Sequence, residues 1–186
     1  PKNTISILAG CAPCQPFSSY SYKNKTEKWK LLYEFSRLIE EVSPDIVTME
    51  NVPTLLSFKK VPVFGEFVQK LEEQGYSVSY SIVNCPEYGI PQNRKRLVLL
   101  ASKFGEIKII PPTHTEKKFR TVRQAIGKME EIKHGEVSKK DKLHRSSLLS
   151  PINLKRIKQS KPGGSWKDWD DDLLLECHKK KSGKSY

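Results

Sequence analysis

The chain has 186 residues, is 37% hydrophobic and carries a formal net charge of +12; it can bury a core, which excludes wholesale disorder. No run approaches the roughly 18 consecutive apolar residues of a membrane span, and four cysteines do not make the disulfide framework of a small secreted domain. A reducing, cytoplasmic setting and no membrane partner are therefore expected.

In chain order, residues 5–9 form a short apolar run ended by Gly10 and predict a buried strand. The chain reaches this run almost at once from Pro1, so an upstream segment is expected to precede it. Residues 11–28, rich in Pro, Ser, Tyr and Lys, predict a loop. Over 29–42, Leu31, Leu32, Phe35, Leu38, Ile39 and Val42 recur at helical spacing, and Ser43-Pro44 stops the helix. Residues 45–49 predict a second buried strand. A helix over about 64–74 follows, with Phe64, Phe67, Val68 and Leu71 on one face and Gly75 as terminator. Strands over 76–83 and 96–101 flank a loop containing Pro86, Gly89 and Pro91.

Strand, helix, strand, helix, strand, strand is the order of an α/β sheet with right-handed parallel crossovers, its last two strands readable as an antiparallel hairpin at the edge. After Ala101 apolar periodicity weakens, and Pro111-Pro112 predicts a boundary between a first domain, 1–112, and a second, 113–186. Residues 1–100 carry 12 Lys and Arg against 10 Asp and Glu, whereas 101–186 carry 21 against 11. A near-neutral core joined to a basic extension suggests a polyanion partner; a solvated lysine-rich surface explains the charge equally well.

In open α/β sheets reactive groups gather at the carboxyl ends of strands. Two lie there: Cys14, shortly after the first strand, and Glu50, directly after the second. The Cys11-Ala12-Pro13-Cys14 segment reads as a rigid loop fixing one nucleophile, as a redox dithiol, as half a zinc site, or as buried structural thiols. Pro16 and the following polar loop offer no helix to stabilise a redox thiolate, and Cys85, His114 and Cys177 lack the spacing to complete a zinc site. No metal is expected.

Three segments in order change the balance. Pro13-Cys14-Gln15-Pro16-Phe17-Ser18 resembles the nucleophile loop of DNA (cytosine-5) methyltransferases. Glu50-Asn51-Val52 resembles that family's Glu-Asn-Val motif. Gln92-Asn93-Arg94-Lys95-Arg96, after Tyr88-Gly89-Ile90-Pro91, resembles its Gln-x-Arg-x-Arg motif. The likeness covers residues 5–102 and continues loosely through 121–127 and 154–169, which are similar to the start of a bacterial target-recognition region. The resemblance implies part of a Rossmann-like S-adenosylmethionine-dependent methyltransferase sheet with a basic C-terminal extension. It implies transfer of a methyl group from S-adenosylmethionine to carbon 5 of cytosine in duplex DNA, within a restriction-modification system. Cys14 would add covalently to a flipped base, Glu50 would address ring nitrogen 3, and Arg94 and Arg96 would assist catalysis and hold the nucleotide. Pro13 and Leu31 match cofactor contacts, Ser18 a nucleotide contact, and Asn51 a residue that orders the loop around Glu50. Lys155, Arg156 and Lys158 suit DNA phosphates; a solvated helix face explains them nearly as well. Family members carry a Gly-containing cofactor loop and an acidic ribose ligand before the segment matching Ile5, and an Asn-containing segment after the recognition region. A central fragment is therefore expected. The alternatives are one piece of a split enzyme acting with a complementary methyltransferase fragment, a catalytically inactive DNA-binding remnant, or a cysteine-dependent redox protein.

Overall fold

In β2 (Ile46–Asn51) and β4 (Lys95–Ser102) every second side chain is buried: Val47, Met49 and Asn51 on the first, Leu97, Leu99 and Ala101 on the second. A period of two is that of a pleated strand with one packed face. The strands are antiparallel, with Val47 opposite Ala101, Met49 opposite Leu99 and Asn51 opposite Leu97, so these side chains form one continuous floor. The computed structural model describes residues 4–12, 30–57 and 62–179. In it β1 (Ile7–Gly10) runs parallel to β2, β3 (Ser77–Asn84) runs antiparallel to β4, and the sheet order is β1-β2-β4-β3.

Two amphipathic helices pack into the same core as the floor. Leu32, Phe35 and Ile39 of α1 (Leu31–Val42) and Val63, Phe64, Phe67 and Leu71 of α2 (Val63–Glu73) are buried. Phe35 and Phe67 stack with ring centroids 5.8 Å apart. The Tyr33 hydroxyl donates to the Glu66 carboxylate across the helix pair. That hydrogen bond, reinforced by desolvation and the Glu66 charge, pushes Tyr33 up to about 12. Helix α1 ends where Ser43 turns left-handed, at φ 49°, its N–H bonding Ile39 O at 2.8 Å. Pro44 follows and accepts the Tyr76 hydroxyl through its carbonyl.

The structure differs from the sequence reading in two places. Leu31, Leu38 and Val42 are exposed, as are Ile5 and Ile7. Leu32, Phe35 and Ile39 of α1 enter the core with Tyr33 packed against it, and among the described residues β1 pairs only with β2, with Leu8 packed against the core and Ile7 on the opposite side of the pleat. The last two strands form the expected antiparallel pair at the sheet edge, with β4 next to β2 and β3 outermost. Second, the chain divides into two compact units, Pro1–Gly127 and Lys128–Tyr186, so the division falls beyond Pro111-Pro112. The physical reason is stitching. Ser79 Oγ donates to Ile107 O, the Tyr88 hydroxyl to Ile110 O, and the Thr113 and His114 N–H groups both to Glu87 O. Helix α3 (Val122–Ile126), opened by a Thr121–Gln124 capping box, closes this unit.

The second unit holds an isolated antiparallel bridge between Val137 and Arg145 and helix α4 (Pro151–Gln159). Ser150 caps α4 through its hydroxyl, and Pro151 occupies the first turn, where its missing N–H costs nothing. Leu173 is buried in this unit, and Trp166 stacks on His178 at 4.4 Å. Among the described residues, no helix is long and apolar enough to cross a membrane.

Candidate active site

The parallel register of β1 and β2 pairs Gly10 with Met49. The next residue along each strand is therefore brought side by side: Cys11 and Glu50. Cys11 Sγ donates to Glu50 Oε2 at 3.2 Å. Arg96 Nε forms an ion pair with the other oxygen, Oε1, at 2.6 Å. This second contact also follows from register. Glu50 stands opposite Val98, and Arg96 lies two residues away on the same face of β4, a diagonal neighbour within reach of a long side chain. That face is the reverse of the buried floor, so both side chains remain partly open, Arg96 at 20% and Glu50 at 42%. In such surroundings the ion pair is worth at most about 1 kcal/mol of stability; its main effect is orientation.

Asn51 is only 1% exposed. Its Nδ2 donates to Ala12 O at 3.1 Å and its Oδ1 accepts the Val52 N–H at 2.9 Å. One side chain thus fixes both the segment leaving β1 and the segment leaving β2. At the sheet's carboxyl edge the result is a carboxylate held on both oxygens, a thiol against it and a guanidinium beside it. A carboxylate held this way accepts hydrogen bonds from a ligand, its protonated form can donate one to a ring nitrogen, and the guanidinium can meet an anionic or polar edge of the same ligand.

The predicted residues fare unequally. Glu50 and Arg96 are brought together. Arg94 is exposed just before β4 begins at Lys95, with its carbonyl accepting the Cys85 N–H at 2.8 Å. Pro13, Cys14 and Ser18 lie outside the described residues. Leu31 opens α1 and is 41% exposed. In the second unit, Lys155 and Lys158 are exposed on α4. Arg156 is engaged: Nε donates to Leu173 O at 2.7 Å, Nη1 to Asn153 Oδ1 at 2.9 Å, and the guanidinium lies 5.8 Å from the Trp169 ring centre. No group of three or more metal-ligating side chains occurs among the described residues. The sequence presents Cys11 only as half of a Cys-x-x-Cys pair. The signal for its contact with Glu50 is that each stands at the carboxyl end of an adjacent parallel strand.

These strands and helices define a Rossmann-like methyltransferase fold. A solved structure assigned as a DNA modification methyltransferase encoded within an E. coli prophage superposes with a TM-score of 0.56 at 24% identity, covering 72% of this chain and 37% of that one. The chain belongs to the family described as C-5 cytosine-specific DNA methylase, which it matches over residues 1–186. It is 56% identical over 187 residues to the Type II methylase M.HgiDII of Herpetosiphon aurantiacus, covering 100% of this chain and 53% of that protein. It is 30% identical over 174 residues to the Type II methyltransferase M1.HphI of Haemophilus parahaemolyticus, covering 91% of this chain and 46% of that protein. The chain thus spans about half the length of these curated relatives.

Proposed function

We propose that the protein containing this chain methylates carbon 5 of cytosine in duplex DNA as part of a type II restriction-modification system in the bacterial cytosol. The observation that carries this reading is the Glu50 carboxylate, held between Cys11 and Arg96 at the strand end next to the segment leading to Cys14. Carbon 5 of cytosine is a weak nucleophile, so the ring must be activated first. The Cys14 thiolate forms a bond to carbon 6 while Glu50 gives a hydrogen bond or proton to ring nitrogen 3, and carbon 5 becomes enamine-like. S-adenosylmethionine would supply an electrophilic methyl group, with Pro13 and Leu31 among its contacts. Loss of the carbon 5 proton and departure of the thiolate restore the ring. Arg96, already on Glu50, and Arg94 hold the nucleotide together with Ser18. The base must leave the duplex to reach this edge, which costs a few kcal/mol of stacking and pairing. Lys155 and Lys158 meet phosphates from α4, and Arg156, anchored at Leu173, adds its charge beside them.

Duplex DNA carrying 5-fluorocytosine tests the reading, because fluorine at carbon 5 blocks the final elimination. The full-length protein with S-adenosylmethionine should form a covalent complex that survives denaturation and is absent in Cys14→Ser. No complex with the unsubstituted protein would leave a DNA-binding protein without this chemistry.

A further inference from the structure

We propose that Cys11 is a positioning residue for Glu50, holding Oε2 ready as the oxygen that addresses the base. The inference rests on the reading of Glu50 as the group that meets ring nitrogen 3. The terminal torsion of a glutamate is broad and roughly two-fold, and at 42% exposure packing does not lock it. Its two oxygens are instead held by different strands: Oε1 by the Arg96 guanidinium at the start of β4, Oε2 by the Cys11 thiol just past β1. The two holds differ in kind. The guanidinium contact is an ion pair at 2.6 Å, whereas a thiol is a weak, uncharged donor. Oε1 is thereby the fixed oxygen. In the protonated acid that the proposed reaction uses, the Oε2 hydroxyl turns from the thiol to the ring nitrogen at small cost. The contact draws on no accident of loop shape, since the parallel pairing of Gly10 with Met49 sets it.

The test compares Cys11→Ala, Cys11→Ser and Glu50→Gln in the full-length protein, by steady-state methyl transfer to a cytosine duplex. Loss of one modest hydrogen bond predicts a fall in kcat of about three- to tenfold in Cys11→Ala, with KM for DNA and for the methyl donor unchanged. Cys11→Ser, which restores a donor, should recover most of kcat. Wild-type kcat in Cys11→Ala, beside an impaired Glu50→Gln, would overturn the role of Cys11 alone. So would a loss in Cys11→Ala that serine does not repair. Wild-type turnover in Glu50→Gln would instead remove the reading of Glu50 beneath it.

Discussion

Asn51 Nδ2 reaches across from the end of β2 to Ala12 O at 3.1 Å, and this buried contact ties together the two segments that leave adjacent parallel strands. It sets the spacing between the Glu50 carboxylate and the chain leading to Cys14.

Replacing Asn51 should therefore damage stability and activity together. In Asn51→Ala the Ala12 carbonyl and the Val52 N–H are both deprived of their partner, and an unsatisfied buried group costs about 1–3 kcal/mol. Asn51→Asp keeps the acceptor for Val52 but turns an oxygen toward Ala12 O, so it should also destabilise. Urea unfolding and initial methylation rates on the same samples check this; an Asp variant as stable as the original would remove Asn51 from its bridging role.

Gly10 has no room for a side chain. A Cβ there would lie 2.3 Å from the Phe35 ring, which is itself stacked on Phe67. Gly10→Ala should cost about 1–3 kcal/mol through overpacking. Trimming the ring in a Gly10→Ala/Phe35→Leu double variant should return part of that stability, a coupling that thermal unfolding of the four proteins in the cycle would measure.

Asp45 makes stability depend on pH. The Ser6 N–H and hydroxyl both donate to its carboxylate at 2.8 and 2.7 Å, and these hydrogen bonds, helped by Lys103, hold its pKa below the usual carboxylate range. A depressed folded-state pKa contributes stability above the unfolded value, lost as pH falls through the folded one. Asp45→Asn should thus be less stable at neutral pH, with the difference shrinking as the solution is acidified. A difference that grows toward low pH would contradict the sign.

Arg96 is expected to matter more for turnover than for folding. Its pair with Glu50 is partly exposed, so Arg96→Gln should change the unfolding free energy by less than about 1 kcal/mol. Removing the charged partner of Glu50 at the reacting edge predicts a drop in kcat/KM of about tenfold or more, with Arg96→Lys intermediate. Steady-state kinetics beside thermal unfolding separate the two effects.

If Lys155 and Lys158 meet phosphates, replacing both with Ala should weaken binding across all duplex sequences. It should also make the dependence of log K on log salt shallower, by about 0.9 for each phosphate no longer neutralised. Titration at several salt concentrations reads this directly. Arg156→Ala should in addition destabilise the second unit, because its guanidinium satisfies Leu173 O and Asn153 Oδ1.

Much of this is legible in the linear order of residues. Apolar runs in 45–49 and 96–101, helical spacing in 29–42 and 64–74, and the stops at Ser43-Pro44 and Gly75 each depend on neighbours within a few residues, so local physics specifies the elements and their type. Glu50 is marked by its place at the end of a strand that the pattern locates, whereas Arg96 is singled out by the resemblance of residues 92–96 to a family motif. Tertiary structure decides the pairings. Nothing in the sequence places β4 between β2 and β3, which is what brings Arg96 onto Glu50 rather than leaving it on an edge strand. Nor does it show that β1 and β2 align Gly10 with Met49, the register that sets Cys11 against Glu50 and Asn51 within reach of Ala12. Those contacts span 39 residues, and register between distant strands is chosen by burial of a whole face at once, a property that no local window of sequence contains.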